Sequence, residues 1–245
     1  ADVAVSSALR KAFAKVKSKA KTAEADEGLD IDVDNYVQRR ANPNVQEVFV
    51  EEDDSVGLSV ALLLDVSASM AGNEIFEARK ILLTLLEAVK NLRGVDVEIY
   101  VYSGSRYSDY QTPVIKLNIE RIATIYPTGH FPYTHMHRAV QYVANRLKLK
   151  TGKKLLILIT DGFPVAKSTP LKTMHTLVSM AISKTRKRAV KVYTIMVGRR
   201  VGRTSVLRKF FGNDGTWPVV NDFRRAGRVL INVVAKQVIR QMYEG

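Results

Sequence analysis

Asp65, Ser67 and Ser69 stand at alternate positions in the stretch ALLLDVSASMAG, Ala61 to Gly72, directly behind four apolar residues. Further along, Thr134 comes just before a helical pattern beginning His135-Met136, and Asp161 ends the apolar run KKLLILITD. All five side chains offer oxygen and nothing softer. A hard divalent cation takes oxygen ligands, and Mg2+ in particular keeps several waters in an octahedral shell. Two carboxylates with three hydroxyls suit Mg2+, and Mn2+ by the same chemistry. Such a set has too little charge and too few ligands to close the shell, so one position stays open for water or an incoming carboxylate. Each residue alone has an ordinary explanation: Ser67, Ser69 or Thr134 as a helix cap, and an Asp-Gly pair as a turn. Their joint occurrence in this order favours a metal site.

Such residues need a scaffold that brings distant parts of the chain to one edge. LSVALLLDV, VDVEIYVYS, KKLLILITD and AVKVYTIMVG are nearly continuous apolar runs, as expected of strands buried on both faces. Between them Ile75, Ala78, Ile81, Leu82, Leu85 and Leu86 trace one helix face, and Met136, Ala139, Val140, Val143 and Leu147 trace another. WPVV reads as a last short strand, and Phe223, Ala226, Val229, Leu230, Val233 and Val238 as a closing helix. The alternation predicts an α/β domain: a doubly wound, mostly parallel sheet with helices on both faces. In such sheets ligands lie outside the carboxyl ends of the strands, near the point where strand order reverses. Asp65 and Asp161 fall at that edge.

Ahead of this domain, Leu9, Phe13, Val16 and Ala20 mark a basic amphipathic helix up to about Lys21. A linker follows, then the strand-like VQEVFVEE. Residues 1–54 are therefore read as an N-terminal extension and 55–245 as the α/β domain. The 245 residues are 46% apolar, enough for a core, and contain no cysteine, which excludes disulfides and thiolate metal sites. No apolar run is long enough to span a bilayer, and a cytoplasmic protein is expected. The first residue is Ala, as in a fragment of a longer chain. The net charge of +14 is uneven: from Lys184 onward there are fifteen basic residues against Asp214, Asp222 and Glu244. That third of the chain could attract nucleic acid, an anionic membrane or an acidic protein.

DVSAS, YTHMHRAV and LLILITDGFP together resemble the metal-ion-dependent adhesion site (MIDAS) of von Willebrand factor A domains, over about Leu58 to Gly245. The resemblance implies that Asp65, Ser67 and Ser69 form the first ligand loop, that Thr134 is the ligand threonine and that Asp161 acts through water. A partner's Asp or Glu would complete the Mg2+ shell. Thr128 competes with Thr134, whose place before a helix favours it. GLDIDVDNYV, VFVEED and LLLDVSASMAG look similar to the intracellular branch with CobT-type and NorD-type proteins, which work with AAA+ ATPases of the MoxR or chelatase class. That implies a non-enzymatic, metal-dependent adaptor that passes nucleotide-driven motion to a target. This chain departs from the branch in lacking a substrate-specific region and in carrying His130, His135 and His137 near the threonine loop. His135 and His137, two apart, are expected on different helix faces, as a polar rim to the cleft. Two alternatives compete. One is nucleic-acid or viral-particle binding by the basic C-terminal third, through Arg199, Arg200, Arg203, Arg208 and Lys209 or through Lys184, Arg186, Lys187 and Arg188. The other is Mg2+-dependent phosphoryl transfer with Asp65 as nucleophile. Ser67 stands where that chemistry needs a second acid, and no P-loop occurs.

Overall fold

The computed structural model describes residues 57–89, 95–104, 114–127, 134–161, 164 and 169–198, with residue 7 and short strands at 23–25, 30–31, 49–51 and 216–217. Strands β1 (Ala23–Ala25) and β2 (Asp30–Ile31) flank β3 (Phe49–Glu51) in a small antiparallel sheet. The strand expected in VFVEE is β3. β1 and β2 fall in the stretch read as a linker, because segments of two or three residues carry no apolar period and are defined only by pairing with β3. The basic helix expected up to Lys21 and the closing helix of Phe223 to Val238 lie outside the described residues.

The long apolar runs build a separate six-stranded sheet from β4 (Leu58–Asp65), β5 (Val95–Tyr102), β6 (Val114–Leu117), β7 (Lys153–Thr160), β8 (Val190–Met196) and β9 (Thr216–Trp217). Its order is β6-β5-β4-β7-β8-β9, and every neighbouring pair is parallel except β5 with β6. The strand expected at WPVV is β9, which reaches only its first residue. β6 has no counterpart in the sequence reading. It is a four-residue edge strand whose Ile115 and Lys116 face solvent, so it lacks the apolar run that marks the buried strands.

Among the described residues three α-helices cover the sheet: α1 (Asn73–Val89), α2 (Met136–Lys148) and α3 (Leu171–Arg186). Because side chains alternate along a strand, β4 serves two cores at once. Val60, Leu62 and Leu64 face α1, meeting Ile75, Ala78, Ile81, Leu82, Leu85 and Leu86. Ala61 and Leu63 face α2 and α3, meeting Met136, Ala139, Val140, Val143 and Leu147 of α2 and Val178, Ala181 and Ile182 of α3. Both helix faces read from the sequence are thus the buried ones. Each fully buried Leu or Ile contributes about 1.5–3 kcal/mol through removal from water. The chain leaves β4 towards β5 and β6, then returns on the other side to β7 and β8. Strand order therefore reverses between β4 and β7, whose carboxyl ends carry Asp65 and Asp161.

Candidate metal centre

Asp65 is the last residue of β4, fully buried, and fixed by three donors. The Ser67 N–H donates to Oδ1 at 2.9 Å, while the hydroxyls of Thr160 and Tyr102 donate to Oδ2 at 2.8 and 3.2 Å. The register explains this convergence: Tyr102 pairs with Asp65 across β4 and β5, and Thr160 ends β7 on the other side. Behind Asp65, Ser67 leads into a single 3-10 turn, Ala68–Met70, whose Met70 is buried. The loop closes at Gly72, with φ of +93°, a conformation that disfavours a side chain.

Capping does not account for the hydroxyls. Ser67 is the N-cap of the 3-10 turn and its carbonyl accepts from the Met70 N–H at 3.0 Å, but its side chain makes no capping bond; its Oγ lies 3.0 Å from the Oγ of Ser69. Ser67 is buried and Ser69 exposed, so this hydroxyl pair runs from the strand end to the surface. Thr134 is buried too, but the N-cap of α2 is His135, again without a side-chain bond to the helix. Thr134 owes its place to α2, which starts at the edge where β4 and β7 end. Among the described residues no hydrogen bond joins it to the other four.

Asp161 follows β7 directly and is buried. Burial pushes the Asp65 carboxyl up, and the neighbouring negative charge of Asp161 adds to it; hydrogen bonds from Ser67 and Thr160 oppose both, leaving it at about 6. Burial, then the field of Asp65, also hold the Tyr102 phenol well above its usual range, so it remains a donor. Among the described residues Asp65 has hydrogen-bond donors but no cationic partner. The burial of Asp65 beside the negative charge of Asp161 makes a place whose charge a divalent cation would neutralise. The donor set fits such an ion: hard oxygen throughout, two carboxylates and a run of hydroxyls.

The histidines take other places than the sequence suggested. His135 is buried and lies outside the helix, with φ of −86° and ψ of 57°, so helical spacing does not govern it. Its ring meets that of His137 edge-on, with centroids 6.3 Å apart, where different helix faces were expected. Burial, and then Arg138 and His135, push His137 down to about 4. The two rings pack on one another, His135 buried and His137 half-buried. Among the described residues no group of three or more His, Cys, Asp or Glu could hold a metal ion. His130 and Thr128 lie outside the described residues, as do Arg199, Arg200, Arg203, Arg208 and Lys209. Lys184, Arg186, Lys187 and Arg188 sit at the far end of α3, at the opposite edge of the sheet. No described helix is long and apolar enough to cross a membrane.

Tyr102 and Thr160 were not read as site residues, although each is a hydroxyl at the very end of a buried strand, which was the available signal. A further tie lies at the exit of β8. Gly198, with φ of +108°, leaves room that a Cβ would take from Glu74 of α1, coming within 2.8 Å of its Cγ.

The chain matches the von Willebrand factor type A domain over residues 59–227. Among curated proteins none matches it by sequence. Several solved structures share its fold. Manganese-loaded TRAP protein of Plasmodium vivax aligns with a TM-score of 0.55 at 17% identity, covering 71% of this chain and 72% of that one. Proximal thread matrix protein 1 of the mussel byssus, with a zinc-occupied MIDAS motif, aligns with a TM-score of 0.52 at 18% identity, covering 76% of this chain and 48% of that one. A D319A mutant of the PilB minor pilin from Streptococcus sanguinis aligns with a TM-score of 0.54 at 12% identity, covering 78% of this chain and 63% of that one. At these identities the likeness is one of fold.

Proposed function

Because the chain belongs to the von Willebrand factor type A domain family, we propose that it is a non-enzymatic interaction module that binds a divalent cation at Asp65, Ser67, Ser69, Thr134 and Asp161. The cation is Mg2+, with Mn2+ as a substitute, and its role is to accept a carboxylate from a partner protein. The observation that carries this reading is the burial of Asp65 and Asp161 side by side at the strand-order reversal, behind a hydroxyl pair that reaches the surface. Manganese in the Plasmodium TRAP protein and zinc in the mussel protein support a divalent ion on this fold.

A bound cation would supply Lewis acidity and an exchangeable position. Everything else falls to the chain. Thr160, Tyr102 and the Ser67 N–H fix both oxygens of Asp65, so its charge acts from a set position. Asp161 supplies the second negative charge. The exposed Ser69 and the loop closed by Gly72 form the lip that a partner side chain meets. The three donors bonded to Asp65 leave it badly placed as a nucleophile, and this supports binding over phosphoryl transfer.

The partner we propose is an AAA+ ATPase of the MoxR or chelatase class, in line with the flanking segments GLDIDVDNYV and VFVEED. Calorimetric titration of Mn2+ and Mg2+ into chelator-treated protein, beside Asp65→Asn and Thr134→Ala, tests the site; loss of uptake in both variants is expected. Pull-down of a purified MoxR-class ATPase from the same organism, with and without chelator, tests the partner. Metal uptake without chelator-sensitive capture would retain the site and discard that partner.

A further inference from the structure

The edge of the sheet opposite Asp65 and Asp161 is strongly basic. α2 ends in Lys148, the next strand opens with Lys153 and Lys154, and the turn after α3 brings Lys187 and Arg188, followed by Lys191 in β8. These are one surface. β7 and β8 run side by side from Lys154 opposite Val190, and the guanidinium of Arg188 donates to Asn145 Oδ1 at 2.6 Å, fastening the ends of α3 and α2 together. The described acids close to it are already paired: Lys150 holds Asp96 at 2.9 Å and Glu98 at 3.1 Å, and Lys116 also holds Glu98.

Cations in the last turn of a helix complement its exposed carbonyls, and that accounts for Lys148. It accounts also for Lys187, the C-cap of α3, but not for Lys153, Lys154, Arg188 or Lys191, which belong to a turn and to strand starts. We propose that this edge is a nucleic-acid-binding surface that follows the phosphate backbone without reading sequence. Its chemistry separates it from the alternatives. Protein interfaces are depleted in lysine and anchored by aromatic side chains, and residues 145–154 and 184–191 contain no aromatic. A membrane surface needs an inserted apolar face, and the large apolar side chain exposed on these segments is Leu149 alone. Lysines on turns without stacking rings suit a duplex, whose phosphates are read as charge. With strands of eight residues at about 3.3 Å each, this surface lies roughly 25 Å from the metal site, so the two bind independently.

Fluorescence anisotropy of a labelled mixed-sequence duplex of about 20 bp, titrated with the full chain in chelator over about 50–200 mM salt, tests the surface. Lys148 and Lys187 are exposed, and the double variant Lys148→Gln with Lys187→Gln should keep the fold, checked by circular dichroism. It is expected to bind about tenfold more weakly, with the slope of log affinity against log salt reduced by about 2. The control pair, Arg121→Gln with Lys172→Gln, removes equal charge from exposed positions elsewhere and should change affinity less than threefold. The proposal is overturned by absence of duplex binding at low salt, by equal losses in the two pairs, or by binding to phosphatidylserine vesicles in place of the duplex.

Discussion

Replacing Asp65 by Asn should stabilise the metal-free protein and abolish its response to metal. Burial and Asp161 move the Asp65 carboxyl from an ordinary value of 3.8 to about 6. At about 1.4 kcal/mol per unit, keeping the charge buried at neutral pH costs the fold about 3 kcal/mol. Asn removes that cost but inherits the hydrogen bonds poorly. Its carbonyl oxygen can still accept from the Ser67 N–H, whereas its amide group would face the Thr160 and Tyr102 hydroxyls that now donate to Oδ2. Losing those two bonds costs about 1 kcal/mol each, which leaves a net gain of about 1 kcal/mol. In a domain of this size that raises Tm by about 2–4 °C.

The sign with pH follows from linkage. The folded state takes up the Asp65 proton at about 6 and the unfolded state at 3.8, so acidification between these values favours the fold. The advantage of the variant in chelator is therefore largest above pH 7 and shrinks as pH falls towards 4. Metal inverts the order. At a concentration of about 100 times Kd, wild type gains about 2.7 kcal/mol and the variant nothing. Differential scanning fluorimetry at several pH values, in chelator and in Mn2+, measures all of this. A metal-free variant less stable than wild type at pH 7.5 would refute the buried-charge argument, and an equal gain in Mn2+ would refute the role of Asp65.

Tyr102→Phe removes one of the two hydroxyl donors to Asp65 Oδ2 while keeping the ring packed. Stability should change by less than about 1 kcal/mol, whereas metal affinity falls about tenfold and the pH midpoint of metal uptake moves upward, both read by calorimetry. Thr134→Ala, at a buried position with no described bond to the other ligands, should weaken metal binding about tenfold or more and leave the chelator-treated melting curve within about 1 kcal/mol of wild type. At the far edge, burial pushes the Glu98 carboxyl up, but hydrogen bonds from Lys116, Tyr100 and Lys150 overcome it and bring it down to about 2. That stability is present above the ordinary value of 4.5 and is lost as pH falls towards 2. Because Lys116 is largely exposed, Glu98→Gln should cost only about 1–2 kcal/mol at pH 7 by urea unfolding, with the deficit closing below pH 4.

The scaffold was legible because it is written in long patterns. Four nearly continuous apolar runs can only be strands covered on both faces, and the helix faces beginning at Ile75 and Met136 supply the cover. The first and last candidate ligands stand out in the sequence for the same reason: Asp65 and Asp161 interrupt runs that otherwise stay apolar. Short elements left no such trace. β6 is four residues with two facing solvent, and β1 and β2 exist only through their partner strand. The histidine pair was misplaced by a boundary shift of one residue. With His135 as N-cap and not in the helix, its ring turns inward to meet His137 instead of pointing away.

What surrounds Asp65 depends on register, which sequence patterns do not fix between strands far apart in the chain. Tyr102 lies thirty-seven positions from Asp65 and Thr160 ninety-five, yet pairing of Asp65 with Tyr102 and of Leu64 with Ile159 brings both hydroxyls onto one carboxylate oxygen. A slip of one residue in either pair would turn the hydroxyl to the other face of the sheet and put an apolar side chain against a buried charge. The ligand motif and the register therefore constrain one another. Asp65 is tolerable inside the core only where β5 and β7 end in hydroxyls at the right height, and those hydroxyls hold its oxygens where a cation between Asp65 and Asp161 would need them. A double-mutant cycle of Tyr102→Phe with Thr160→Val should accordingly show coupling of about 1 kcal/mol or more in metal affinity, since either hydroxyl alone still holds Oδ2 and loss of both releases it. Additive losses would mean that each hydroxyl only fills space beside Asp65.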